Sequence, residues 1–173
     1  MAETLHDLVT ARKMIATSAD WTASGRRLSL KLPLAIDGLI EEGLFLRGSS
    51  LSHIPDREVV LQLEYHGVRI AGETGPLCRA EWNPMRPHNN KGKGPEDLRY
   101  KEQMLSHMHS FEDNWDDIAG ALTPDNLPIA RPIIATLSQF IDFRDYVGLK
   151  FGIMNIDLVK TPEWEYVLDL GSE

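Results

Sequence analysis

Leu28, Leu30, Leu32 and Leu34 alternate with Ser29, Lys31 and Pro33, the two-residue period of a strand with one face buried. Pro33 cannot donate to a ladder, which puts this strand at an edge or near its own end. Asp37-Gly38 is a turn signal and leads into a second strand at about 42–48. The clearest alternation follows the polar loop Ser49 to Asp56: Val59, Leu61, Leu63 and Tyr65 face one way, and Glu58, Gln62, Glu64 and His66 the other. His66-Gly67 turns into a strand at 68–73, and Gly75-Pro76 into one at 77–83. In the latter, Cys78, Ala80 and Trp82 form the apolar face and leave Arg79, Glu81 and Asn83 on the opposite one. Five strands with short connections predict an antiparallel meander.

Helical spacing shows at the two ends of the chain. Leu5, Leu8, Val9 and Ile15 predict an amphipathic helix over 3–16. Ile133, Ile134, Leu137, Phe140 and Ile141 give an apolar stripe to a main helix over Pro128–Phe143, with Pro132 in its first turn. Between these lies a segment, 84–103, broken by Pro84, Pro87, Gly92, Gly94 and Pro95. It reads as a long loop, and loops of that length are usually functional or disordered. A sixth strand is expected at about 104–110, a helical turn or two at Asp113–Ala121, a last strand or packing segment at 149–159, and a short helix over Pro162–Leu168. Together these predict one α+β domain over 1–173, with an N-terminal helix in 1–20, a sheet in 26–110 and a mainly helical part in 112–173. The sheet has five to six antiparallel strands, with helices packed on one face.

Composition narrows the class. With 42% hydrophobic and 25% charged residues, the 173-residue chain can bury a core without disulfide or metal staples. Its single cysteine, Cys78, excludes an intrachain disulfide and suits a reducing cytoplasm. No apolar run approaches a membrane span, and residues 1–20 lack the apolar core of a signal peptide. A soluble, cytoplasmic protein with no membrane association is expected. The net charge of −8 opposes a protein that coats a phosphate backbone. It leaves room for a small catalytic pocket acting on RNA or a nucleotide, because local charge governs such a pocket. Basic residues are densest at Arg86, Lys91, Lys93, Arg99 and Lys101, while acidic ones gather at 112–117 and toward the C-terminus.

The candidate chemistry falls in that basic window. His107 and His109 share a strand face, about 7 Å apart at the backbone, a spacing at which both can ligate one metal ion or act on one substrate. His88 or Glu81 would supply a third group. Three readings stand: histidines on a partly buried face donating to carboxylates, a zinc or other first-row metal site, and metal-free acid–base chemistry or ligand recognition. No stoichiometric metal is expected, because the sequence shows only two closely placed histidines and no nearby cysteine. The third ligand falls in a loop expected to be mobile. The cofactor is left unassigned. Arg79 and Glu81 form either a structural ion pair or a functional couple, Arg79 binding phosphate or carboxylate and Glu81 orienting a histidine. Asn89 and Asn90 read as turn residues. Lys91-Gly92-Lys93-Gly94 lacks the spacing of a phosphate loop. The acidic run Glu112–Asp117 is either a solvated helix start or a partner surface. Trp21 and Trp164 read as packing residues and Cys78 as a buried thiol, and His6, His53 and His66 receive no role.

An arginine strand (Arg79), a His-x-Asn loop (His88, Asn90) and a His-x-His strand (His107, His109) followed by Phe111 give the order of this window. In that order the chain resembles a group of small uncharacterised bacterial and phage proteins carried on mobile elements, over about 45–120. The segment from Asn90 to Leu105 is longer than in that pattern, and Phe111 stands where a tyrosine is usual, so no role for a phenolic hydroxyl carries over. The group has no established reaction. Some toxins of toxin–antitoxin pairs carry a similar histidine-rich strand, so the resemblance implies a nuclease. The leading expectation is therefore a phosphodiester- or phosphate-directed hydrolase of toxin or defence type. In it His107 and His109 serve as base and acid or as metal ligands, with His88 the third member. Arg79 stabilises negative charge, and Glu81 orients a histidine. The alternative is a non-catalytic acidic inhibitor or adaptor of anti-defence type that binds a protein partner. The partners left open are a protein, a second copy of the chain, and an RNA or nucleotide substrate.

Overall fold

In the computed structural model, which describes residues 3–70, 75–124 and 126–166, the alternating segments build one sheet. The chain runs through α1 (Leu5–Thr10), β1 (Lys13–Ile15), β2 (Thr22–Ser24), β3 (Arg27–Ile36), β4 (Leu39–Leu51), β5 (Val59–Tyr65) and β6 (Gly75–Trp82). It continues through β7 (His88–Asn89), β8 (Glu102–Gln103), β9 (His107–His109), α2 (Phe111–Asn114), β10 (Trp115–Asp116), β11 (Ala121–Leu122), β12 (Arg131–Pro132) and α3 (Phe140–Phe151). A single 3-10 turn, Ile156–Leu158, follows. Strands β3, β4, β5 and β6 form an antiparallel meander, and the full order is β1-β3-β4-β5-β6-β9-β12, with β2 also on β3. The β3–β4 hairpin turns at Asp37 and Gly38, both with positive φ, the conformation a tight two-residue hairpin requires. Pro33 sits where the β3–β4 register shifts, a position that spares the ladder its missing donor.

The expected α+β arrangement is what the chain adopts: an antiparallel meander with a helix on one face. The inner face carries Leu28, Leu30, Leu32 and Leu34 of β3, Leu44 and Leu46 of β4, Val59, Leu61, Leu63 and Tyr65 of β5, and Cys78, Ala80 and Trp82 of β6, all buried. Helix α3 closes this face with Phe140, Phe143, Val147 and Phe151, three and four residues apart and therefore on one stripe. Phe143 stacks on Trp82, with ring centroids 5.9 Å apart.

Several boundaries differ from the sequence expectation. The main helix is not Pro128–Phe143 but Phe140–Phe151. Residues 128–139 are extended because their backbone bonds elsewhere. Ile129 N–H donates to Asn114, Ala130 N–H to Asn90, Arg131–Pro132 pair with β9, and the Leu137 carbonyl accepts from Trp82. Helix α3 starts only where the Asp142 carboxylate accepts from the Ser138 and Gln139 amides, and it ends at Gly152 in the left-handed region. Ile134, assigned to the buried stripe, is 96% exposed. The N-terminal helix stops at Thr10 rather than running to 16, and Lys13–Ile15 pair with Leu34–Ile36 of β3. No strand forms at 68–70; the Tyr65 hydroxyl accepts from the Ile70 amide there, and residues 71–74 lie outside the described residues. Asp113–Ala121 holds one turn of helix, α2, and then the small β10–β11 hairpin. Residues 149–159 are the end of α3 and a packing segment, with Ile153 bridged to Lys13. Pro162 to Tyr166 form no helix, so the part after 112 is not mainly helical; residues 167–173 lie outside the described residues. The 84–103 segment is not one open loop, since β7 and β8 pair within it. Among the described residues no helix is long and apolar enough to cross a membrane.

Candidate functional site

On the outer face, β6 and β9 stand side by side, with Arg79 opposite His109 and Glu81 opposite His107. Alternation puts all four side chains on the face away from α3, while Ala80 and Met108 between them point inward. Asn83, expected on the same face, does not join them. It has left the strand at positive φ and donates to the Asp56 carbonyl. The 84–103 segment folds back over this end of the sheet and delivers His88. Its ring centroid lies 5.1 Å from that of His107 and 4.7 Å from that of His109, and those two are 5.2 Å apart. His107 and His109 are buried and His88 is half-buried. The five residues singled out in the sequence, Arg79, Glu81, His88, His107 and His109, thus meet in one place.

Backbone partners fix which nitrogen of each ring carries its proton. His109 Nδ1 lies 2.6 Å from the Leu127 carbonyl oxygen and His107 Nδ1 lies 2.9 Å from that of Leu105. A carbonyl only accepts, so both rings hold hydrogen on Nδ1 and present a bare Nε2. His107 Nε2 then lies 3.5 Å from Glu81 Oε2, and His109 Nε2 lies 3.5 Å from Glu81 Oε1. His88 faces two acceptors with Nε2, Asn90 Oδ1 and the Pro128 carbonyl, each at 3.1 Å. Its Nδ1 is therefore the bare nitrogen. Arg79 Nε lies 2.9 Å from Glu81 Oε1, so the ion pair exists inside the histidine cluster rather than apart from it. Arg79 Nη2 is 3.3 Å from Nδ1 and 3.2 Å from Nε2 of His109. Being nearly equidistant from the two nitrogens, it is not in line with the Nε2 lone pair.

Burial pushes His109 down to about 4 and lowers His107 as well, so both rings are neutral at pH 7. Burial acts on Glu81 in the opposite sense and would raise its carboxyl. The Arg79 guanidinium, 2.9 Å from Oε1, outweighs this, and Glu81 is held at about 2. The site therefore combines one carboxylate, one guanidinium and neutral imidazoles. Each of His88, His107 and His109 offers a ring nitrogen, and these lie within 4.8 Å of one another. That donor set suits zinc or another first-row divalent ion.

A cavity of about 320 Å³ opens beside the cluster, lined by Arg79, His88, Lys91, Lys93, Asn126 and Pro128 among others. Of the three clustered histidines, only His88 lines it. Lys91 and Lys93, part of the basic window noted in the sequence, thus end up at the mouth of the site. Sequence reasoning read Asn90 as a turn residue of the His-x-Asn loop and gave it no part in holding the site. It is fully buried, and its amide accepts from Ala130 N–H, donates to the Ala130 carbonyl and faces His88. This pairing imitates a strand ladder and anchors the segment that carries His88. The one signal for it was the i, i+2 spacing of His88 and Asn90. In the acidic stretch, Asp113 binds Arg131 at 2.8 Å and Asp116 accepts from the Ile118 and Ala119 amides, so two of its carboxylates serve local structure. Cys78 is buried, with its thiol pushed up to about 12 by burial. No protein-family model, curated protein or solved structure matches the chain.

Proposed function

We propose that the protein is a phosphate-directed hydrolase whose substrate reaches the histidine cluster through the cationic cavity. The observation that carries the reading is the meeting of Arg79, Glu81, His88, His107 and His109 beside a cavity lined by Lys91 and Lys93. Phosphoryl transfer needs little covalent help from a protein. It needs positive charge held where negative charge develops, and a group to activate water. Arg79, Lys91 and Lys93 supply the first. His88 supplies the second: it is the histidine on the cavity, its tautomer is set by Pro128 and Asn90, and its single bare nitrogen, Nδ1, serves either as the base that takes a proton from water or as a ligand to an ion that activates the water. His107 and His109 lie behind it, braced by Leu105 and Leu127.

Cross-strand register favours a phosphodiester chain over a small ester. Lys31, Arg47, Gln62, Arg79 and His109 are successive neighbours across β3, β4, β5, β6 and β9. Adjacent strands are about 4.8 Å apart, so this row runs roughly 19 Å across the outer face and ends at the site. A shallow groove lined by Arg27, Arg47, Ser49, Gln62 and Glu64 accompanies it, with Arg47 paired to Glu64 at 3.4 Å. Such a row fits the backbone of a short single strand.

The test is hydrolysis of bis(p-nitrophenyl) phosphate, p-nitrophenyl phosphate and short single-stranded RNA and DNA, with zinc, manganese or magnesium supplied. Cleavage of at least one diester is expected, together with its loss in His88→Ala and Arg79→Met variants that keep the parent's melting temperature. If no phosphate ester turns over under any of these conditions, the reading is wrong.

A further inference from the structure

We propose that His88, His107, His109 and Glu81 bind one divalent first-row transition-metal ion, with zinc the foremost candidate. The inference extends the hydrolase reading to the same site, but ligand geometry alone carries it, so either can fail without the other. The decisive atom is His107 Nε2. It is buried and has no hydrogen-bond partner among the described residues, and it faces Glu81 Oε2 at 3.5 Å. An unpaired acceptor directed at a carboxylate oxygen in a dry site is unfavourable unless a proton or a cation lies between them. A proton fits poorly, since 3.5 Å exceeds a sound N–H···O distance. A metal ion fits well. Zinc binds imidazole nitrogen at about 2.0–2.1 Å, so atoms around a tetrahedral ion stand about 3.3 Å apart. The two Nε2 to Glu81 distances are both 3.5 Å, and the three histidine nitrogens lie within 4.8 Å. Sub-ångström closure of the nitrogens on an ion completes the shell.

The groups behind the ligands point the same way. Each ligating ring normally donates its other N–H to a carbonyl or carboxylate, which fixes the tautomer and aims the lone pair. Here all three do so, to the carbonyls of Leu105, Leu127 and Pro128. Asn90 adds a second acceptor on His88 and holds its strand to Ala130. The sequence-based expectation of no metal assumed a third ligand on a slack loop. His88 instead sits in β7, paired with β8 through Gln103. Charge explains why the site also holds Arg79. Glu81 and Arg79 cancel, so a divalent ion on neutral imidazoles leaves the centre positive by about two charges, which an anionic substrate offsets.

Untagged full-length protein, stripped with a chelator, is titrated with zinc against a chromogenic competitor, and histidine ring nitrogens are followed by 15N NMR. One equivalent is expected to bind. On the wild-type protein, zinc should shift Nε2 of His107 and His109 and Nδ1 of His88, and leave the opposite nitrogens protonated. His107→Gln and His109→Gln should each weaken binding by at least about a hundredfold, while His66→Ala, on the exposed ring that pairs with Glu64, should not. Absence of stoichiometric zinc, cobalt(II) and manganese(II) binding overturns the proposal. So does binding that survives in His107→Gln, or NMR shifts confined to His6, His53 or His66. These readouts are independent of turnover. Zinc bound without hydrolysis sinks the hydrolase reading alone, and hydrolysis by protein that binds no metal sinks the metal site alone.

Discussion

Lys13 lies in the interior, with its ammonium donating to the carbonyls of Val9, Ala11 and Phe151 at 2.7–2.9 Å. Two helices, α1 and α3, end against it, and a cation there answers carbonyls that the helices leave unpaired. Burial pulls its pKa to about 8, yet the three acceptors favour the charged form. Lys13→Met should therefore cost about 2–4 kcal/mol in urea denaturation, and a loss below about 0.5 kcal/mol would mean that the carbonyls find other partners. Asn90 is the corresponding residue for the site. Its side chain pairs with both backbone groups of Ala130 and with His88. Asn90→Ala should lower stability by about 1–3 kcal/mol and weaken zinc binding about 10–100-fold, read in one protein by thermal melting and competitive titration. An unchanged zinc affinity would show that the Pro128 carbonyl orients His88 unaided.

At the scale of elements, period settled the sheet and hydrogen-bonding competition settled the helices. Val59, Leu61, Leu63 and Tyr65 alternate cleanly and are all fully buried, because a strand's side-chain period does not depend on which neighbour it meets. Residues 128–139 carry a helical apolar stripe and still form no helix, since Asn90, Asn114, Trp82 and β9 claim their backbone groups. No local pattern announces partners 15 to 55 residues distant. The outer row across β3 to β6 gives an element-scale test. Lys31→Gln with Arg47→Gln should weaken binding of a short single-stranded oligonucleotide, followed by fluorescence anisotropy. It should also reduce the slope of log affinity against log salt by about 1.4, some 0.7 for each phosphate left without its cation. Zinc affinity should stay as it was. A slope equal to the parent's would remove the row from the binding path.

For the whole molecule, the net charge of −8 and the cationic site are compatible because Arg79, Lys91 and Lys93 line one cavity while Asp113 and Asp116 serve local structure elsewhere. Packing the histidines under the 84–103 segment has a consequence for acid stability. The folded pKa of His109, about 4, lies below its unfolded value of about 6.5. The unfolded chain therefore takes up a proton first as pH falls, so this contribution is complete above 6.5 and is lost toward 4. It amounts to about 3 kcal/mol. Glu81, held at about 2, continues the loss below 4.5. Denaturant titrations of chelator-treated protein at pH 7, 5.5 and 4.5 should show this decline, with a smaller one in His109→Gln. The sequence by itself determined the strands β3 to β6, their inward leucines, valine and tyrosine, and the shared face of Arg79 with Glu81 and of His107 with His109, because alternation is a local property of the chain. It also named His88, by residue type alone. What only the tertiary structure decided is that these faces are adjacent. The β6–β9 pairing crosses a gap of 24 residues between Trp82 and His107. The position of His88 and the tautomers of all three rings depend on Asn90 and on carbonyls at Leu105, Leu127 and Pro128. Backbone carbonyls carry no residue signature, so a site tuned by them becomes visible only once the chain has folded.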